Sequence, residues 1–187
     1  RQASGWSCWG EAASAGTGGS GHLLTPTALA MPGGADAVAL GFGIGCALQN
    51  GSVSCWGNSV QANFGETIQP ASVVAAGAAM TVPLTRMPSA IHCGRYVCCG
   101  LAGEEVTCWG SPYVPRLGDG PRDGTSPNVP VGLSNVSSIA LGGGATCAID
   151  DAGLQCWGDG NQAGFGDGLT RYLPQPLAPS GITQVSM

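Results

Sequence analysis

The chain has 187 residues, 43% hydrophobic and only 9% charged, with 33 Gly, 13 Pro and a net charge of −5. That little charge cannot solvate the outer faces of a helical bundle, and that much Gly and Pro favours short strands joined by turns. All six basic residues are scattered Arg, so nucleic acid is not an expected partner, and no run reaches the roughly 18 apolar residues of a membrane helix, so membrane insertion is not expected in this segment.

The first landmark is Cys8-Trp9-Gly10, and the same tripeptide returns at Cys55, Cys108 and Cys156, at intervals of 47, 53 and 48 residues. Such a period is the signature of stacked repeats. The stretch from Glu11 to Ala35 carries the pattern most weakly. A first full unit then opens with the apolar stretch Ala37 to Leu40, followed by Gly41, Cys46 and Cys55-Trp56-Gly57. Behind it come Gln61 to Glu66 (QANFGE), Pro70 and the Ala-rich run Ala71 to Leu84, which is expected as a loop or outer strand. The second unit repeats the order with Ala90 to His92, Gly94, Cys99 and Cys108-Trp109-Gly110, then Arg116 to Asp119 (RLGD), Pro127 and Pro130. The third has Val136 to Leu141, Gly142, Cys147 and Cys156-Trp157-Gly158, then Gln162 to Asp167 (QAGFGD), Pro174 and Pro176. Proline suits an outer sheet edge, where no ladder donor is needed. Ile182 to Met187 resembles the opening apolar stretch of one more unit.

Each unit contains a hairpin. Asn50-Gly51 is a strong two-residue turn signal and pairs Gln49 with Ser52, Leu48 with Val53, Ala47 with Ser54 and Cys46 with Cys55. The cysteines then fall at a non-hydrogen-bonded position, with Cα atoms about 4.5 Å apart and close enough for a bridge. The same count pairs Cys99 with Cys108 across Gly103-Glu104, a type II′ turn, and Cys147 with Cys156 across Asp151-Ala152, a poorer turn. Each bridge stabilises by roughly 2–3 kcal/mol. One hairpin face holds Cys46, Leu48, Val53 and Cys55, and the other holds small residues and Trp56. Both faces are therefore expected to be buried, as in a sheet between two neighbours. Trp9, Trp56, Trp109 and Trp157 are the expected repeat-core aromatics.

The pattern I-x-x-G, C-A-L, G-x-V-x-C-W-G, Q-x-x-F/L-G-D-G, P-x-x-V resembles the repeat of the regulator of chromosome condensation family. In particular it resembles a Cys-Trp-Gly variant found in secreted and cell-surface proteins. The resemblance implies an all-β fold of antiparallel β-propeller blades, with about four blades' worth present of a ring that is usually seven-bladed. On that frame, residues 1–35 end a first repeat, 36–87, 88–134 and 135–180 are full repeats, and 181–187 begin another. The partner of Cys8 is expected upstream of Arg1. Cys93 and Cys98 occur only in the middle repeat. They either bridge each other or leave a free or intermolecular thiol.

Rival chemistries are thin. Zinc sites use closely spaced Cys pairs, often with His, whereas the recurrent spacing here is nine; Cys93, Cys98 and Cys99 form the one tempting cluster. Neither His22 nor His92 stands in a ligand or triad pattern. No G-x-S-x-G elbow occurs, and Gly41-x-Gly43-x-Gly45 and Gly142-Gly143-Gly144 lack the continuation of a phosphate loop. Asp150, Asp151, Asp159 and Asp167 are expected as solvated turn residues. Two sequons, Asn50-Gly-Ser and Asn135-Val-Ser, are possible glycan sites. Asn50 lies at an exposed turn, whereas Asn135 precedes an inner strand with little room for a glycan.

These readings lead to a non-enzymatic, extracellular binding or structural module without cofactor or metal. Its partners are proteins or neighbouring segments of an assembly. The alternatives are a regulator resembling the nucleotide exchange factor that shares this fold, and a secreted enzyme inhibitor or enzyme-associated domain.

Overall fold

A computed structural model describes residues 5–12, 14–17, 21–29, 34–58, 73–74, 79–111, 117–120, 130, 132–178 and 184–185. Four antiparallel sheets are present among them. The first pairs β1 (Ser7–Glu11) with β2 (His22–Ala28). The second runs β3 (Ala37–Gly41), β4 (Ile44–Gln49), β5 (Ser52–Asn58) and β6 (Val73–Val74), with β7 (Met80–Thr81) also on β5. The third is β8 (Ala90–Cys93), β9 (Val97–Ala102) and β10 (Glu105–Gly110). The fourth is β11 (Ser138–Leu141), β12 (Ala145–Asp150), β13 (Gly153–Gly158) and β14 (Arg171–Pro176). The described sheets form an open arc of blade-like units and do not close a ring.

Turn chemistry sets the registers. Asn50 and Gly51 take φ of 48° and 72°, the double positive pair a type I′ turn requires, and β4 meets β5 with Cys46 opposite Cys55 and Leu48 opposite Val53. Gly103 takes φ of 66° while Glu104 stays out of the left-handed region, in keeping with a type II′ turn. The third turn has weak propensity but is held by a side chain. The Asp150 carboxylate accepts from the Ala152 amide (2.9 Å) and from the Ser134 amide (3.3 Å). Asp150 is only 8% exposed, which corrects the expectation of a solvated residue. Its oxygens are used up in closing the turn and tying down the segment before β11. Pro174 and Pro176 do sit in the outer strand β14.

The sheets stack in one sense. The disulfide faces of the second and third sheets pack on the Trp faces of the sheets that follow them. Cys46, Val53 and Cys55 meet Ile91, Cys98 and Trp109. Cys99, Val106 and Cys108 meet Ile139, Ala148 and Trp157. Trp56 packs with Ala35, Ala47, Trp6 and Leu29 and donates its indole N–H to the Ser14 carbonyl at 3.0 Å. Trp56, Trp109 and Trp157 are fully buried.

Trp9 breaks the expectation, being 66% exposed. A Trp of this repeat is covered by the sheet before it, and Trp9 lies on the first described sheet. In the last segment, Gln184 and Val185 carry no strand, and its other residues lie outside the described ones. The QANFGE motif, Pro70, Pro127 and Arg116 also lie outside them.

Candidate functional site

The inner turns Gly41–Gly43, Gly94–Tyr96 and Gly142–Gly144 converge at one end of the sheets, opposite the hairpin turns. Their backbones touch. The Tyr96 amide donates to the Phe42 carbonyl at 3.1 Å and the Arg95 amide to the Gly142 carbonyl at 3.3 Å. A Cβ on Gly41 collides with the Gly94 carbonyl, and one on Gly94 with the Gly142 carbonyl. This explains the glycine five residues before the cysteine in the first two full repeats: adjacent blades approach too closely there for any side chain.

The residue after that glycine differs in each repeat, being Phe42, Arg95 and Gly143. Phe42 is 54% exposed, and Tyr96 meets it edge-on with ring centroids 5.4 Å apart. The Arg95 guanidinium lies 5.3 Å from the Phe42 ring centre and 5.7 Å from that of Tyr96. These distances are within cation–π range. Beside them lies a depression of 570 Å³ lined by Phe42, Arg95, Leu141 and the turn glycines. Tyr96 holds φ of 62°, where the matching Gly43 holds 74°. A bulky residue in the left-handed region is costly, by about 1–3 kcal/mol. Gly43 itself has no room for a Cβ because the Tyr96 ring occupies that space. The middle repeat thus accepts backbone strain to place an aromatic ring here. Sequence reasoning assigned no functional residue at these turns. The available signal was the break in the Gly-x-Gly pattern at Arg95-Tyr96.

The cysteine sites are arranged as follows. Bridges join Cys46–Cys55, Cys99–Cys108 and Cys147–Cys156 with Cα separations of 4.1, 4.0 and 4.1 Å. A fourth joins Cys93 to Cys98 across the β8–β9 turn. Cys8 is a free, buried thiol opposite Thr27, and burial raises its pKa. The sulfurs of Cys46, Cys93 and Cys98 lie within 4.8 Å of one another, but all three are tied up in disulfides and offer no thiolate to an ion. Asn50 and Asn135 are both exposed at the hairpin-turn end. Asn135 takes φ of 52°, and its side-chain amide donates to the Asp151 carboxylate. Exposed Asp167 pairs with Arg171, whose guanidinium lies 3.8 Å from the Phe165 ring centre. That pairing lowers the Asp167 pKa to about 2.

Stacked antiparallel sheets, a buried Cys-Trp-Gly tryptophan at each described interface and inner turns gathered at one end define an architecture of the RCC1 β-propeller type. No family model matches the chain. Among solved structures, that of human WBSCR16 aligns with a TM-score of 0.70 and 25% identity, covering 94% of this chain and 48% of that one. Yeast RCC1 (Prp20), in a structure with Kap60 bound, aligns with a TM-score of 0.68 at 16% identity over 84% of this chain and 39% of that one. Prp20p from Saccharomyces cerevisiae, studied with its binding to Gsp1p and histones, gives a TM-score of 0.61 at 23% identity over 80% and 38%. The chain spans about half or less of the structures it matches.

Proposed function

We propose that this chain is a non-catalytic, disulfide-stapled, propeller-like module that binds a protein partner through the face bearing Phe42, Arg95 and Tyr96. The observation that carries this reading is the exposed aromatic–Arg cluster built across two adjacent blades beside an open depression. Aromatic residues and Arg dominate binding hot spots because they desolvate large areas while keeping one polar handle. The strain at Tyr96 supports it, since glycine suffices for the turn elsewhere in the chain. Protein recognition is also what the matched yeast structures describe for their own chains.

An extracellular or cell-surface location belongs to the same proposal, as does the Cys-Trp-Gly variant of the repeat. Its support is the bridged cysteines, which persist in oxidising compartments. Asn50 and Asn135 are then glycan sites in a eukaryotic secretory pathway.

A photo-crosslinking aromatic residue placed at position 42, and separately at position 50, tests the binding face. A covalent adduct with another protein from position 42 alone supports it, and equal adducts from both positions overturn it. Mass spectrometry of protein from its native source tests the location. Free thiols at the three nine-residue Cys pairs would remove the case for secretion.

A further inference from the structure

The Cys93–Cys98 bridge has no counterpart in the sibling repeats. The cross-strand pair at that position is Leu40 with Gly45 in the second sheet and Leu141 with Thr146 in the fourth. Those sheets form the same inner strand and hairpin without it. The extra bridge also has an unusual neighbour: the Cys98 sulfur lies 3.4 Å from the Cys46 sulfur, which belongs to the bridge of the adjacent blade. Cys98, Cys46 and Cys55 are fully buried. Cys93 is half-buried and lines a 390 Å³ cavity among the inner strands, together with Ile91, His92 and Val185.

We propose that Cys93 is an entry site for thiol–disulfide exchange with a small thiol, and that the exchange passes through Cys98 to Cys46 to create a bridge between blades. A thiolate attacks the accessible sulfur of a disulfide and expels the other. The incoming thiolate bonds to Cys93 and breaks Cys93–Cys98, and the electron pair leaves on Cys98. The Cys98 thiolate bonds to Cys46 and breaks Cys46–Cys55, and the pair leaves on Cys55, which takes a proton from water. Two disulfides exist before and after within the pair of blades, one of them now a mixed disulfide at Cys93. The second step closes the sulfur–sulfur gap by about 1.4 Å to reach bonding distance.

The surroundings favour the last leaving group. The Trp109 indole N–H donates to the Cys55 sulfur at 3.3 Å and to the Cys46 sulfur at 3.5 Å. A hydrogen bond strengthens as its acceptor gains charge, so this N–H stabilises thiolate developing on Cys55. Trp56 makes no such contact, its indole N–H being spent on the Ser14 carbonyl.

The test is exposure of the native, oxidised chain to reduced glutathione, followed by acid quench, alkylation and peptide mapping without reduction. The expected products are glutathione on Cys93, a Cys46–Cys98 cross-linked peptide and alkylated Cys55, formed at least tenfold faster than opening of Cys99–Cys108. Alkylation of Cys98 with Cys46–Cys55 intact overturns the proposal, as does opening of all bridges at one rate. Cys93→Ser provides a second measurement. It frees Cys98 without added thiol and is expected to yield the Cys46–Cys98 peptide spontaneously; retention of Cys46–Cys55 overturns the proposal.

Discussion

The Trp109 indole N–H of one blade donates to the sulfur of Cys55 in the blade before it, at 3.3 Å. Trp109 and Trp157 thus each rest on the bridge of the neighbouring blade, and there interface and staple form one packing element. Burying an indole beside sulfur satisfies its polar N–H without admitting water.

The four Cys-Trp-Gly tryptophans should therefore differ in energetic weight despite identical local sequence. Trp109→Ala is expected to cost about 3–5 kcal/mol through lost burial and a cavity. Trp9→Ala, at an exposed site, should stay within about 0.5 kcal/mol. Urea denaturation of the two variants checks this, and equal losses would contradict the stacking order.

At the inner turns, stability and binding should part. Tyr96→Gly relieves a left-handed φ at an aromatic residue and is expected to leave the urea midpoint unchanged or higher. The same variant loses the edge-on contact with Phe42 and should weaken partner capture at least tenfold. A lower midpoint would show that the ring serves the fold.

The Asp151-Ala152 turn depends on the carboxylate before it. Asp150→Ala leaves the Ser134 and Ala152 amides without their acceptor and is expected to cost about 1–3 kcal/mol. Asp151→Ala, at an exposed position, should cost much less. Thermal melts of both variants make the comparison.

Cys8 should behave as a protected thiol. Burial raises its folded pKa above the unfolded value, so the neutral form is favoured in the native state. Its contribution is fully present below the unfolded pKa and is lost as pH rises through the folded pKa. Alkylation at neutral pH is expected to be slow in native buffer and fast in guanidinium. Rapid native labelling would place the thiol at the surface.

Asp167 shifts the other way. Its pKa is lowered to about 2, first by the hydrogen bond from Arg171 and next by the Leu169 amide. A depressed carboxylate pKa contributes above the unfolded value and is lost as pH falls through the folded one. The carboxyl resonance of Asp167 should titrate near pH 2, and Arg171→Met should return it toward the ordinary Asp range. The pair is exposed and its effect on overall stability should be small.

Much of the fold is legible because its determinants are local. Asn50-Gly51 dictates a positive φ pair, and counting outward from it places Cys46 opposite Cys55 without knowledge of any other residue. Asp150 was less legible, because a carboxylate that caps its own turn looks like one that faces water until its partners are placed. The aromatic–Arg cluster at the inner turns was least legible. Phe42 and Tyr96 are 54 positions apart in the chain, and only the approach of two blades at Gly41 and Gly94 sets their rings together.

The repeat period, the hairpin registers and the three nine-residue cysteine pairs thus follow from spacing alone, since each depends on a few bonds around a turn. Tertiary structure decided which Trp is covered, that the Cys98 and Cys46 sulfurs meet, and that Arg95 overlies Phe42. Those outcomes depend on how successive sheets stack, and stacking brings together side chains about 50 residues apart that no local rule relates.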